Sequence, residues 1–175
     1  MKRPVPSISA YALWVVLALA GCSSVPVPVQ SPVQASPPAP APSEVEIPSR
    51  LTLDQANDVT LFAISLVGTP YRWGGNTPES GFDCSGLIGY VYKSHTSIAA
   101  PRTVAALADW GQPVPATSAR TGDLVVFTQN GTVNHAGIYV GDGRFVHAPS
   151  KGGEVRLDSL NSKFWSKLPT SFRRP

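Results

Sequence analysis

Cys84, His135 and His147 are the residues whose types and spacing could carry covalent chemistry. Cys84 stands in Gly81-Phe82-Asp83-Cys84-Ser85-Gly86. Aspartate is a favoured helix N-cap, so the thiol is expected in the first turn of a helix. There, unpaired backbone N–H groups and the helix dipole favour a thiolate. A nucleophilic thiol needs a base within hydrogen-bond reach, and the base needs an orienting partner. His135 and His147 begin and end what read as adjacent strands in an apolar stretch. His95 instead lies in Lys93-Ser94-His95-Thr96-Ser97 at the end of a helix and reads as a solvated cation. The glycines at 81 and 86 are expected to let a substrate or partner chain approach closely. A metal site built from Cys84, His135 and His147 would lack any CxxC or HExxH spacing, so no metal and no cofactor is expected.

The elements that would hold these residues are readable. Thr52-Leu53-Asp54-Gln55 matches a capping box. Leu53, Ala56, Val59, Ala63, Leu66 and Val67 then fall on one helical face until Gly68. A loop follows, and a second, largely buried helix starts near Cys84. A short helix capped at Thr103 is expected to run to Trp110. From Gly122 onward the pattern turns β-rich, with strands over 123–128, 135–140, 144–147 and 154–157 separated by turn residues. Helices followed by an antiparallel meander predict an α+β domain. Asp123 reads as a turn residue before its strand.

Strand register tests the histidine pair. A two-residue turn at Asp142-Gly143 would pair Ile138 with His147 and put the histidines on opposite faces. A three-residue loop from Gly141 to Gly143 pairs Gly137 with His147 and makes His135 and His147 diagonal neighbours on one face. The longer loop is therefore predicted, with Gly143 in the left-handed conformation.

The rest of the chain reads as an address and a tether. Met1-Lys2-Arg3 followed by an apolar run over 11–20 reads as a signal peptide, since the run is too short to span a bilayer. Leu19-Ala20-Gly21-Cys22 resembles the lipobox of bacterial lipoproteins, which implies cleavage after residue 21 and lipidation of Cys22. Ser23 stands where inner-membrane lipoproteins usually carry Asp, so an outer-membrane anchor facing the periplasm is expected. Eight of the 18 prolines fall between Pro26 and Pro48, which predicts an extended tether over 22–48 reaching roughly 80 Å at ~3.1 Å per residue. The folded domain is expected over 49–175. Of 14 basic and 11 acidic residues, the leader removes Lys2 and Arg3, so net charge falls from +3 to +1. The only basic cluster left is Arg173-Arg174, which argues against nucleic-acid binding. With Cys22 lipidated, Cys84 has no disulfide partner.

Pro70-Tyr71-Arg72-Trp73-Gly74-Gly75, Phe82-Asp83-Cys84-Ser85-Gly86-Leu87, Pro101-Arg102-Thr103, Gly122-Asp123-Leu124, His135-Ala136-Gly137-Ile138-Tyr139 and Arg144-Phe145-Val146-His147-Ala148 together resemble the NlpC family of papain-like cysteine peptidases of the bacterial cell wall. Ala136 and Val126 depart from the commoner residues there, as apolar swaps. The resemblance implies a papain-like fold, with Cys84 as nucleophile, His135 as base and His147 as the group orienting it. It implies Tyr71 beside the thiol, where its hydroxyl would join the Cys84 N–H in holding an oxyanion. Asp83 and Ser85 would line the substrate cleft, Asp83 facing a cationic amine, with Arg102 either there or a surface charge opposite an acidic group. Trp73, Trp110 and Trp165 read as core or rim aromatics. The implied partner is the stem peptide of peptidoglycan, cut at D-Glu to diaminopimelate or at D-Ala to diaminopimelate. A binding or envelope-tethering protein that keeps the cleft without turnover is the alternative, and acyl transfer or amidase chemistry by the same thiol also stays open.

Overall fold

The structure, a computed structural model, describes residues 46–151 and 153–175. The expected leader, Cys22 and the tether up to residue 45 lie outside the described residues. The capping box forms as its sequence requires: the Thr52 hydroxyl accepts from the Gln55 N–H and the Gln55 side chain from the Thr52 N–H. They open α1 (Leu53–Ser65), whose Ala56, Val59 and Ala63 are buried. Gly68, at φ +92°, takes the chain away from it. A two-rung hairpin of β1 (Asn76–Thr77) and β2 (Gly81–Phe82) leads to α2 (Cys84–His95), whose Leu87, Ile88, Val91 and Tyr92 have no solvent exposure. Thr103 caps α3, as expected, but the regular helix is only Val104–Leu107, and turns carry the chain on to Trp110.

The sheet contains β3 (Gln112–Val114), β4 (Leu124–Gln129), β5 (Thr132–Gly141), β6 (Arg144–His147), β7 (Arg156–Ser159) and β8 (Thr170–Arg174). Every neighbouring pair is antiparallel, in the order β3-β8-β4-β5-β6-β7. The expected meander is β4 to β7, and β8 and β3 extend it beyond β4. Both faces are covered. The helices pack on Leu124, Val126, Ala136, Ile138 and Val146, while Val125, Phe127, Phe145, Trp165 and Phe172 form a second core on the other face. This explains why Leu124–Phe127 is a continuous apolar run instead of an alternating one.

Arg174 explains why β8 escapes the sequence pattern. Its guanidinium is buried, donating from Nε to Asp123 Oδ1 and from Nη2 to Asp123 Oδ2, both at 2.9 Å, and from Nη2 to the Ser118 carbonyl at 2.7 Å. Asp123 does hold its turn, accepting from the Arg120 N–H at 2.9 Å, but it is also half of a buried ion pair. Arg173 lies 3.8 Å from Asp109. Of the basic cluster in the sequence, Arg174 is thus buried in the fold, while Arg173 faces a surface aspartate.

β7 begins two residues later than expected because residues 153–155 are drawn elsewhere. Glu154 bridges to Pro70, the Gly68 N–H donates to the Val155 carbonyl, and the Val155 N–H donates to that of Thr69. The β5–β6 hairpin also differs from expectation in one respect. Gly141 pairs with Arg144, so the turn is the two residues Asp142 and Gly143, both at positive φ (51° and 66°), as a tight hairpin turn requires. A bulge between Tyr139 and Gly141 supplies the extra residue instead, and Ile138 pairs with Val146. The frame is therefore the one that puts Gly137 beside His147, reached by a bulge and a short turn in place of a long loop.

Candidate active site

Cys84 is the first residue of α2, and Asp83 is its N-cap, with Oδ1 accepting from the Gly86 N–H at 2.6 Å. The backbone N–H groups of Ser85 and of Cys84 itself face the sulfur, as does that of Ala136 on β5. Alternation along the ladder turns the Ala136 N–H toward the β6 side, past the last paired rung at Ile138 and Val146. It is therefore left for the thiol. Burial first, then the Asp83 carboxylate, push the Cys84 thiol above its ordinary value against these three donors. The resting sulfur is a neutral thiol, and Cys84 is a free cysteine.

His135 and His147 lie on one face, as the register predicts. His135 Nε2 and His147 Nδ1 are 2.8 Å apart, and His147 Nε2 is 3.1 Å from Asp158 Oδ2. Asp158 fixes the protons. Burial would raise its carboxyl, but the Trp165 indole N–H, His147 and Arg156 hold it below its ordinary value, so it is an acceptor. His147 must then carry its proton on Nε2, which leaves Nδ1 to accept from His135 Nε2–H. The free lone pair is on His135 Nδ1. Burial and then His147 press His135 down to about 3; burial presses His147 down to about 4, against the Asp158 carboxylate. Both rings are neutral at pH 7. Sequence reasoning placed the two histidines and missed Asp158 and the role of Trp165. Trp165 donates Nε1–H to Asp158 Oδ2 at 3.0 Å, stacks on His135 (5.4 Å, 23°) and meets His147 edge-on (5.1 Å, 89°). Its signal was only its type, a tryptophan just past the last expected strand.

No hydrogen bond joins Sγ to the His135 ring in this resting geometry; the residue that touches the sulfur is His135's neighbour, Ala136. Such contacts commonly tighten only when substrate is bound.

Tyr71 stands beside the thiol. Its phenol is raised by burial and then by Cys84 and Asp83. Its backbone is held by a parallel bridge to Phe82 and by donation from its N–H to the Gly153 carbonyl. Asp83, Ser85 and Arg102 also come together. Asp83 Oδ1 accepts from Arg102 Nη1 (3.1 Å), and Oδ2 from the Gly74 N–H (2.9 Å), while the single Ser85 hydroxyl proton is shared between Asp83 Oδ1 (3.0 Å) and the Arg102 carbonyl (2.8 Å). Burial alone would raise the Asp83 carboxyl, yet the Gly86 N–H, Arg102 and Ser85 hold it below its ordinary value. Its charge is already matched by Arg102.

The close approach expected at the glycines is made by the chain itself. A Cβ on Gly86 would lie 2.0 Å from the Gly75 carbonyl oxygen, and one on Gly81 2.6 Å from that of Pro70. The loop over 70–75 is thereby seated on the α2 N-terminus. His95 is remote, at the far end of α2 against Phe62. Trp73 is 86% exposed on that loop, and Trp110 packs edge-on against Tyr92. Chemically, the arrangement offers a thiol among backbone donors, a relay from Asp158 through His147 to His135, and a phenol beside the sulfur.

Known proteins share this sequence and fold. Residues 68–174 match the NlpC/P60 family. Over 112 residues the chain is 42% identical to the murein DD-endopeptidase MepH of Escherichia coli K12, covering 62% of this chain and 41% of that protein. Over 114 residues it is 39% identical to the gamma-DL-glutamyl hydrolase of Bacillus subtilis 168, covering 64% and 27%. The chain thus spans less than half the length of these two relatives. An NlpC/P60 family protein from Bacillus cereus ATCC 10987 superposes with a TM-score of 0.63 at 32% identity, covering 74% of this chain and 41% of that one. The NlpC/p60 domain of the peptidoglycan hydrolase SagA gives 0.59 at 31%, covering 66% and 96%. With helices and sheet in the same arrangement and a family match over more than half its residues, the chain belongs to the NlpC/P60 family.

Proposed function

We propose that the protein is a lipid-anchored peptidoglycan endopeptidase that hydrolyses a stem-peptide amide through a thioester on Cys84. The observation that carries this reading is the hydrogen-bonded series Asp158, His147, His135, which leads to the strand position next to an N-capped thiol. Relatives named as murein and glutamyl hydrolases supply the substrate class. The Cys84 sulfur attacks the amide carbonyl carbon as its proton passes to His135 Nδ1. Because thiol and imidazole are both neutral at rest, that transfer accompanies the attack instead of preceding it. The Cys84 backbone N–H and the Tyr71 hydroxyl stabilise the oxyanion. Collapse breaks the C–N bond while His135 gives its proton to the leaving amine. Water, deprotonated by His135, then hydrolyses the thioester. Asp83, Ser85 and Arg102 flank the thiol on the acyl side. The bond is D-Glu to diaminopimelate or D-Ala to diaminopimelate, and mass spectrometry of fragments released from defined monomeric and cross-linked muropeptides identifies which.

Asp158 is a positioning residue in this scheme. Asp158→Asn lets the side-chain amide donate to His147 Nε2, which favours the tautomer that no longer accepts from His135. A fall in kcat of about 10–100-fold is expected, the scale on which losing the outer partner of a metal-bound histidine acts, with KM little changed. Wild-type kcat/KM should keep its plateau well below pH 6.5, since both rings stay neutral toward pH 4. In Asp158→Asn the acid limb should move lower still, because the Asp158 charge raises both rings and its removal lets them fall. Fold stability depends on pH with the same origin: the unfolded histidines protonate below about 6.5 while the folded ones do not, so stability falls as pH drops from 6.5 toward 3. A wild-type acid limb at pH 6.5, measured where the protein is still folded, would contradict the buried neutral pair.

The anchor is supported by Leu19-Ala20-Gly21-Cys22 and the outer-membrane site by Ser23. Incorporation of labelled palmitate, lost in Cys22→Ser, is the expected result, and the labelled protein should fractionate with the outer membrane; label retained in the variant would refute the assignment.

A further inference from the structure

His135 and His147 also line a cleft of about 570 Å³, together with Lys151 after β6, Arg156 on β7, and Lys163 and Phe164 in the segment between β7 and β8. Its charge is lopsided. The only carboxylate lining it is Asp158, and its oxygens are occupied: Oδ2 by the His147 and Trp165 N–H groups, Oδ1 by Arg156 at 3.2 Å. Among the described residues neither Lys151 nor Lys163 is ion-paired, although the chain as a whole is close to neutral once its leader is set aside. Phe164 is 58% exposed, an apolar surface among these cations.

The position of the cleft gives it a direction. His135 delivers its proton to the departing nitrogen, so the leaving part of the substrate passes on the His135 side of the scissile bond. The Asp83, Ser85 and Arg102 cluster belongs to the other side: Arg102 lines a separate cavity along α2. We propose that the basic cleft is the leaving-group subsite. In it, Lys151 and Lys163, aided by Arg156, bind the free carboxylates of diaminopimelate, while Phe164 covers its hydrocarbon stretch. This rests on the endopeptidase reading, and it holds for either candidate bond, since diaminopimelate is in the leaving peptide in both. Charge-assisted hydrogen bonds to a carboxylate in a partly enclosed cleft are the strong kind, and among exposed lysines they are screened by salt.

The test compares muropeptides, monomeric and cross-linked, whose diaminopimelate carboxylates are free or amidated, with the full chain as enzyme. Amidation should lower kcat/KM about tenfold at low ionic strength, mainly through KM, and added salt should narrow the gap. The double variant Lys151→Ala/Lys163→Ala should lower kcat/KM on the free-carboxylate substrate far more than on the amidated one, so that most of the gap between the two closes. Equal wild-type rates on free and amidated substrates would overturn the subsite and leave the endopeptidase standing, as would a double variant impaired equally on both. No Cys84-dependent cleavage of any of the four substrates would overturn the endopeptidase and the subsite with it.

Discussion

Cys84→Ala is expected to abolish release of peptide fragments from muropeptides, lowering kcat by a factor on the order of 10⁶, the scale for losing a nucleophile whose partners act with it as a unit. The residual rate should resemble that of the same protein lacking both Cys84 and His135, because once the sulfur is gone the imidazole has no proton to take. Stability should change little: the side chain is small, the Asp83 carboxylate keeps its cap on the Gly86 N–H, and the donors facing the sulfur are backbone groups. Retained muropeptide binding by this variant would show that its loss of activity is chemical. The outcome also separates the enzyme from a protein that holds peptidoglycan without turnover. Identical fragments from wild type and Cys84→Ala would end the thioester mechanism.

Asp123→Asn should be the most damaging single substitution for the fold. It leaves the Arg174 guanidinium buried with an uncompensated charge, an arrangement that costs about 3–5 kcal/mol. For a domain of this size that lowers the melting temperature on the order of 10–20 °C. The consequences spread through neighbours, because Asp123 also holds the Arg120 N–H and lies next to Gly122, whose carbonyl accepts from the buried Tyr92 hydroxyl. Combining Asp123→Asn with Arg174→Met should cost less than the sum of the two single changes, since each alone strands its partner. Additive losses in chemical denaturation would mean that the pair is not a unit. Activity at a temperature where both proteins are folded should be nearly unaffected.

These two sites differ in how far the sequence discloses them. The Asp83 cap and Cys84 are legible because a helix start is local: the capping aspartate, the thiol and Gly86 fall within four residues. His135 and His147 are legible through strand parity, and even a mistaken turn left the parity intact. The bulge between Tyr139 and Gly141 added the residue that the loop had been expected to supply. Asp158 and Trp165 are not legible, because their value depends on β7 starting at Arg156. That start depends in turn on residues 153–155 being pulled toward the loop before β1, a tertiary preference with no period. Arg174 was hidden differently. An arginine pair near a chain end has the composition of a solvated tail, and only its partner 51 positions away makes it part of the core. Asp83, expected to face a substrate amine, is also paired with Arg102, a pairing across 19 positions that capping rules do not reveal.

The position of β8 has a consequence for how the domain is made. It is the last strand in the order of synthesis, yet it lies inside the sheet between β3 and β4. Until residues 170–174 have emerged, β4 keeps an open edge, β3 has no neighbour, and Asp123 has no counter-charge. A nascent chain can assemble the helices and part of the meander, but it cannot close the sheet while residues 170–174 are still inside the ribosome. The domain is therefore completed around β8, and the sheet and the buried Asp123–Arg174 pair close together.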